Sequence, residues 1–160
     1  MHIHTFLFVA ARERTEERGL PALPCVCATL RRAARAVSRL YEDEMRSATS
    51  LTGPQFTLLQ TLSQAGPLTQ GQLGRLLAID STTLSRTLRP LEAARLVRVE
   101  PGRDRRERHL QLTASGKSQI ERATPAWELA QRRLKAAIGG ERWAALMREL
   151  GRLADDAARA

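Results

Sequence analysis

Between Ser81 and Arg89 the chain places Ser81, Thr82, Thr83, Ser85, Arg86 and Arg89, two guanidinium groups and four hydroxyls in a single short stretch. Such side chains donate hydrogen bonds to oxyanions, and the planar fork of arginine also matches a guanine edge. Leu84, Leu88 and Leu91 are interleaved with them. On a helix turning 100° per residue the leucines form one face, and Thr82, Ser85, Arg86 and Arg89 form the other. Arg75 precedes this stretch and Arg103, Asp104, Arg105 and Arg106 follow it. The chemistry on offer is recognition of a polyanion.

The whole chain agrees. Its 160 residues hold 26 Lys and Arg against 17 Asp and Glu, a formal charge of +9, and all the cations except Lys117 and Lys135 are arginine. A nucleic acid is the first expected partner, and an acidic membrane surface the second. Catalysis finds no support: there is no Gly-rich phosphate loop, nucleophile elbow or metalloprotease His pair, and no cofactor or metal is expected. Cys25 or Cys27 could be set with His109 as a thiol dyad, but His109 sits where a hairpin accounts for it. Two cysteines one residue apart are a poor disulfide framework and fit a reducing cytoplasm. The apolar run from Ile3 to Ala11 is too short to span a bilayer and lacks the start of an export signal, so residues 1–23 read as a poorly specified arm, His2 and His4 included.

Around these residues the apolar spacing lays out helices. Cys27, Leu30, Ala33, Ala34, Val37, Leu40, Tyr41 and Met45 recur every three or four residues, which predicts a long amphipathic helix from about Pro24 to Ser47. Thr52 with Gln55, and Thr69 with Gln72, are capping boxes that open two more helices, the second ended by Ile79 and Asp80. Asp80 then caps a helix over Ser81 to about Ala94. Alternation at Leu96–Glu100 and His109–Leu112, with Pro101 and Gly102 between, predicts a hairpin with a basic tip. Thr113 starts a long helix kinked at Pro125, and Gly139 and Gly140 separate it from a last helix around Trp143, Leu146, Met147, Leu150 and Leu153. The class is mainly α with a small β-hairpin wing. Two short capped helices followed by such a hairpin is the order of a winged helix-turn-helix, whose second helix enters the major groove.

The segment LTQGQLGRLLAIDSTTLSRTLRPLEAARLVRVEPGRDRRERHLQLTASGK, preceded by SLTGPQFTLLQTL, resembles the MarR (multiple antibiotic resistance regulator) family, with the likeness extending over roughly residues 24–158. The family's Asp-x-Arg wing signature falls on Asp104 and Arg106. The resemblance implies that Arg106 reaches a minor groove, whose narrow form attracts a guanidinium, and that Asp104 braces it. It also implies N- and C-terminal dimerisation helices, here 24–50 and 114–158, flanking a DNA-binding region at 51–113. A homodimer presents two reading heads, so the expected operator in double-stranded DNA is pseudo-palindromic, with half-site centres about 10–10.5 bp apart.

Regulators of this kind release DNA when a small aromatic acid binds or when a cysteine is oxidised or metallated. An aromatic acid needs a cation and an apolar slot, which Arg31 or Arg35 with Cys27, Leu30 and Trp127 would supply. Thiol or metalloid sensing would instead fall to Cys25 and Cys27 at the start of the first helix, where the reactive form is the thiolate. Residues i and i+2 of a helix point about 200° apart, so joint chelation needs an unwound turn or a second subunit. A winged helix used only for protein contacts is the reading from another class.

Overall fold

The computed structural model describes residues 25–102 and 107–159. By its internal contacts the chain divides into Met1–Arg39 and Leu40–Ala160. The described part of the first unit is helical from Val26 and belongs to α1 (Val26–Met45). Most of its side chains are exposed, Val26 to 63%.

The second unit holds α2 (Gly53–Ala65), β1 (Leu68–Thr69), α3 (Gln70–Leu77), α4 (Ser81–Ala93), β2 (Val97–Pro101), β3 (Arg108–Leu112), α5 (Ala114–Ile138) and α6 (Gly140–Ala157). Both capping boxes form. Thr52 Oγ1 accepts from the Gln55 N–H while Gln55 Oε1 accepts from the Thr52 N–H at 2.9 Å, and Thr69 and Gln72 repeat the exchange at 3.1 and 2.8 Å. Each box satisfies donors that a helix start leaves without intrahelical partners.

One leucine-rich core organises α2, α3, α4 and the hairpin. Leu58, Leu59 and Leu62 of α2, Leu73 of α3, Leu84, Leu88 and Leu91 of α4, Val97 of β2 and Leu110 of β3 are all buried in one cluster. Burial of each such side chain stabilises by roughly 1.5–3 kcal/mol. A second cluster, Met45, Phe56 and Ala123, has Trp127 packed on it, with the Phe56 and Trp127 ring centroids 6.1 Å apart.

The sheet order is β1-β3-β2, all antiparallel, with Leu68 opposite Leu110 and Val99 opposite Leu110 on the other side. The hairpin expected from the sequence is present, one residue longer at the Pro101 and Arg108 ends. The third strand, β1, was not expected: two residues carry no alternation, and only pairing with β3 makes them a strand. The long helix expected from Thr113 to about Ile138 is present as α5, which continues through Pro125.

Two left-handed residues shape the head. Ala78 (φ 50, ψ 43) ends α3, with its N–H bonded to Arg75 O at 3.2 Å and the Ile79 N–H to Gly74 O at 3.0 Å. This double bond closes the helix and turns the chain into α4. A Cβ at Gly74 would lie 3.2 Å from Ile79 O, a tight contact, and 3.6 Å from Leu84 Cδ2, an ordinary one, so this glycine leaves room for the backbone of the turn. Arg95 (φ 56) plays the same part after α4, with Leu96 N–H bonded to Leu91 O at 2.9 Å.

The wing is then locked to α5. Thr113 Oγ1 donates its one hydrogen to Arg95 O (2.8 Å), with Leu96 O also near at 3.1 Å, and accepts from the Gly116 N–H at 3.0 Å. A Cβ at Gly116 would sit 2.3 Å from Leu96 O, so only glycine fits this crossing.

An L-residue in the left-handed region is strained by about 1–2 kcal/mol, a cost glycine does not carry. Ala78→Gly is therefore expected to raise Tm, by about 2–4 °C for a net gain near 1 kcal/mol in a chain of this size. Thermal denaturation followed by circular dichroism checks this, and an unchanged or lower Tm would show that the turn is unstrained.

Candidate nucleic-acid interface

The basic surface is built on α4, and its construction starts at the helix cap. Asp80 Oδ1 accepts from the N–H groups of Thr82 and Thr83, both at 2.9 Å, and Oδ2 accepts from Thr83 Oγ1 at 2.6 Å. These bonds, the Thr83 hydroxyl first and its N–H next, hold the Asp80 carboxyl below the usual carboxylate range. The N–H groups of Thr82 and Thr83 at this terminus are thus already occupied, and the Thr83 hydroxyl is turned inward to Asp80. Ser81 and Thr82 keep exposed side chains.

With Leu84, Leu88 and Leu91 buried, the other face of α4 points outward. Ser85, Arg86 and Arg89 are exposed, and neither arginine has an ion-pair or hydrogen-bond partner among the described residues. Pro90 also lies on the exposed side and offers no N–H to the carbonyl of Arg86. Arg75 of α3 is exposed and lines an open cleft of about 490 Å3 with Ser81, above a floor of Ile79 and Leu84.

Beside α4 stands the hairpin. The Gly102 N–H bonds to Glu107 O at 2.8 Å and closes its outer end. Arg108 reaches Glu92 of α4 at 3.4 Å, so this arginine partly compensates an acidic residue of that helix. Arg98 similarly pairs with Glu100 at 3.0 Å and donates to Gln111 at 2.7 Å. Arg103, Asp104, Arg105 and Arg106 lie outside the described residues.

The effector candidates fall in both units. Cys25, Cys27, Leu30, Arg31 and Arg35 belong to the first, and Cys25 and Cys27 are both free and exposed. Trp127 belongs to the second and is packed on Phe56. One residue missed from sequence is Gln70, which donates from Nε2 to Ser85 Oγ at 3.0 Å. The two are fifteen positions apart, and only the turn at Ala78 brings them together. Among the described residues no helix is long and apolar enough to cross a membrane, and no group of three or more His, Cys, Asp or Glu could hold a metal.

Three helices in the order α2-α3-α4, with a hairpin packed on the last, define a winged helix-turn-helix protein. Comparison with known proteins gives the family. Residues 49–107 match the MarR family model. The regulator MgrA of Staphylococcus aureus is 33% identical over 89 residues, 55% of this chain, and the aligned stretch spans 60% of the length of MgrA. Among solved structures, the M. tuberculosis transcriptional regulator MosR in complex with DNA superposes with a TM-score of 0.75 at 33% identity, over 85% of this chain and 99% of MosR. A probable transcriptional regulator from Pseudomonas aeruginosa gives 0.73 at 26% identity, over 81% and 97%. The chain belongs to the MarR family of transcriptional regulators.

The cap yields a test of pH dependence. A carboxyl whose pKa is lowered on folding contributes stability that is fully present above its ordinary value and is lost as pH falls through the lowered one. Asparagine caps about as well as aspartate but does not titrate. Asp80→Asn is therefore expected to change Tm little at neutral pH and to flatten its decline between about pH 5 and pH 2. Parallel melting curves in that window check it, and superimposable declines would remove Asp80 from the acid response.

Proposed function

We propose that the protein is a sequence-specific DNA-binding transcriptional repressor acting as a homodimer on a pseudo-palindromic operator. One observation carries the reading: α4 has its leucine face sealed in the core and its Ser85, Arg86 and Arg89 face exposed, with both arginines unpaired among the described residues. Arginines left without protein partners at that position suit phosphate oxygens and guanine edges. In this reading Ser81, Thr82, Ser85, Arg86 and Arg89 meet the major groove and Arg75 the backbone. Thr83 contributes by holding Asp80. Arg103, Arg105 and Arg106, with Asp104 as brace, supply the wing. MosR, solved on DNA, supports the assignment through its likeness over nearly its whole length.

The dimer is proposed to form through 24–50 and 114–158, with the reading head at 51–113. α6 has no buried residue, and Leu146, Met147, Leu150 and Leu153 are exposed along it. A second copy of the chain is the partner that would cover such a stripe. Winged helices that make only protein contacts would show no salt-dependent DNA binding.

Selection of binding sites from random DNA tests the reading. The wild type is expected to return a pseudo-palindrome, and Arg86→Ala to lose preference at one position per half-site, a cost of roughly 1–3 kcal/mol for a bidentate base contact. Absence of any enriched sequence in the wild type would overturn it.

Release from DNA is proposed to follow binding of a small aromatic acid by Arg31 or Arg35, which lie one turn apart on α1 beside Leu30 and are unpaired among the described residues. Cys27 and Leu30 are the apolar residues of the same helix assigned to the ring. A second reading, release by thiol oxidation or a metalloid, is favoured by the exposure of both free cysteines and by the Ala28 N–H, which donates to Cys25 Sγ at 3.3 Å. A ligand of either kind must prefer a dimer whose two α4 helices are badly spaced for DNA, since equal affinity for both geometries shifts nothing.

Titrations of a preformed DNA complex separate the two. Thiol control makes the Cys25→Ser, Cys27→Ser double variant insensitive to peroxide and arsenite with unchanged DNA affinity. Aromatic-acid control leaves that variant responsive to benzoate and makes Arg31→Ala or Arg35→Ala insensitive, with self-association measured alongside. Wild-type responses from every variant would place the effector elsewhere.

A further inference from the structure

Gln70 stands at the first position of α3, but the cap of that helix is made by Thr69 and Gln72. Its amide is thereby left for another use and reaches across to α4, where Nε2 donates to Ser85 Oγ at 3.0 Å. Ser85 differs in this from Thr87 on the same helix, whose hydroxyl donates to the carbonyl four residues back at 3.0 Å, the habit of Thr61 and Thr124 as well. A hydroxyl has a single hydrogen and two lone pairs. With a lone pair of Ser85 occupied by the Gln70 amide, its hydrogen is free to point out from the exposed face of α4.

We propose that Gln70 and Ser85 act as one reading unit, in which Gln70 is a specificity-determining residue that fixes Ser85 as a hydrogen-bond donor toward the DNA. A serine alone reads an acceptor or a donor edge equally well. Held by Gln70, Ser85 keeps its one hydrogen for an acceptor at the base it faces, such as guanine O6 or N7, adenine N7 or thymine O4, and has a single lone pair left for a donor such as cytosine N4, so acceptors are favoured. Gln70 Oε1 and its second N–H remain beside it for the neighbouring base or phosphate. The unit deepens the reading of α4 as the DNA-recognition helix and rests on it.

The experiment is binding-site selection followed by affinity measurement on single-base variants of the selected operator, using the full-length chain. Gln70→Met removes the tether without adding charge, and Ser85→Ala removes the reader. Each is expected to lower discrimination at the same base pair of each half-site by about two- to tenfold, the scale of one hydrogen bond. The double variant is expected to lose no more than either single one. Gln70→Glu would take the Ser85 hydrogen for its own carboxylate and turn the preference at that base pair toward cytosine. Both residues reach the surface, and melting curves confirm that each variant is folded.

Unchanged discrimination in Gln70→Met, additive losses in the double variant, or a Gln70→Glu consensus equal to the wild type would each overturn the unit. Failure of the wild type to enrich any sequence would instead overturn the DNA-binding reading beneath it.

Discussion

Burial of Leu84, Leu88 and Leu91 against Leu58, Leu59, Leu62 and Leu73 is the constraint on which the reading head depends. A helix anchored along one stripe by close-packed leucines has no rotational freedom, so the residues opposite that stripe must face outward. Arg86 and Arg89 are exposed for that reason. Were the stripe lost, the same arginines would sit on a helix with no fixed orientation and could not be read against a groove. Truncating a fully buried leucine of this kind costs about 2–5 kcal/mol, a large share of the stability of an ordinary domain.

The remaining devices adjust that anchored helix. Ala78 in its left-handed conformation sets where α4 begins, Gly74 leaves room for the Ile79 carbonyl in that turn, and Asp80 caps the new helix. At the far end Arg95 turns the chain into the wing, and Thr113 bonds that turn to α5. Glu92 and Arg108 link the side of α4 to the base of β3. Helix and hairpin are therefore held as one piece.

Much of this was legible in the residues. The caps at Thr52, Thr69, Asp80 and Thr113 and the leucine spacing are local signals, and each appears where the sequence placed it. What escaped depends on distant partners. β1 exists only because Leu68 and Thr69 meet β3, and the Gln70–Ser85 bond only because the turn at Ala78 folds α3 back on α4. The inward turn of the Thr83 hydroxyl is a local bond that a reading of serines and threonines as surface groups overlooked. The helix expected from the residues continues through Pro125, with Ala123 and Ala130 buried on either side. Tertiary burial there outweighs one missing N–H.

The central claim, that the outward face of α4 is what meets DNA, is tested most directly by the salt dependence of binding to a duplex carrying the selected operator. If that face makes the contacts, affinity falls steeply and linearly on logarithmic axes as salt rises, and replacing both Arg86 and Arg89 by alanine weakens binding and flattens the slope by about one to two. A double variant with the affinity and slope of the wild type would contradict the claim outright.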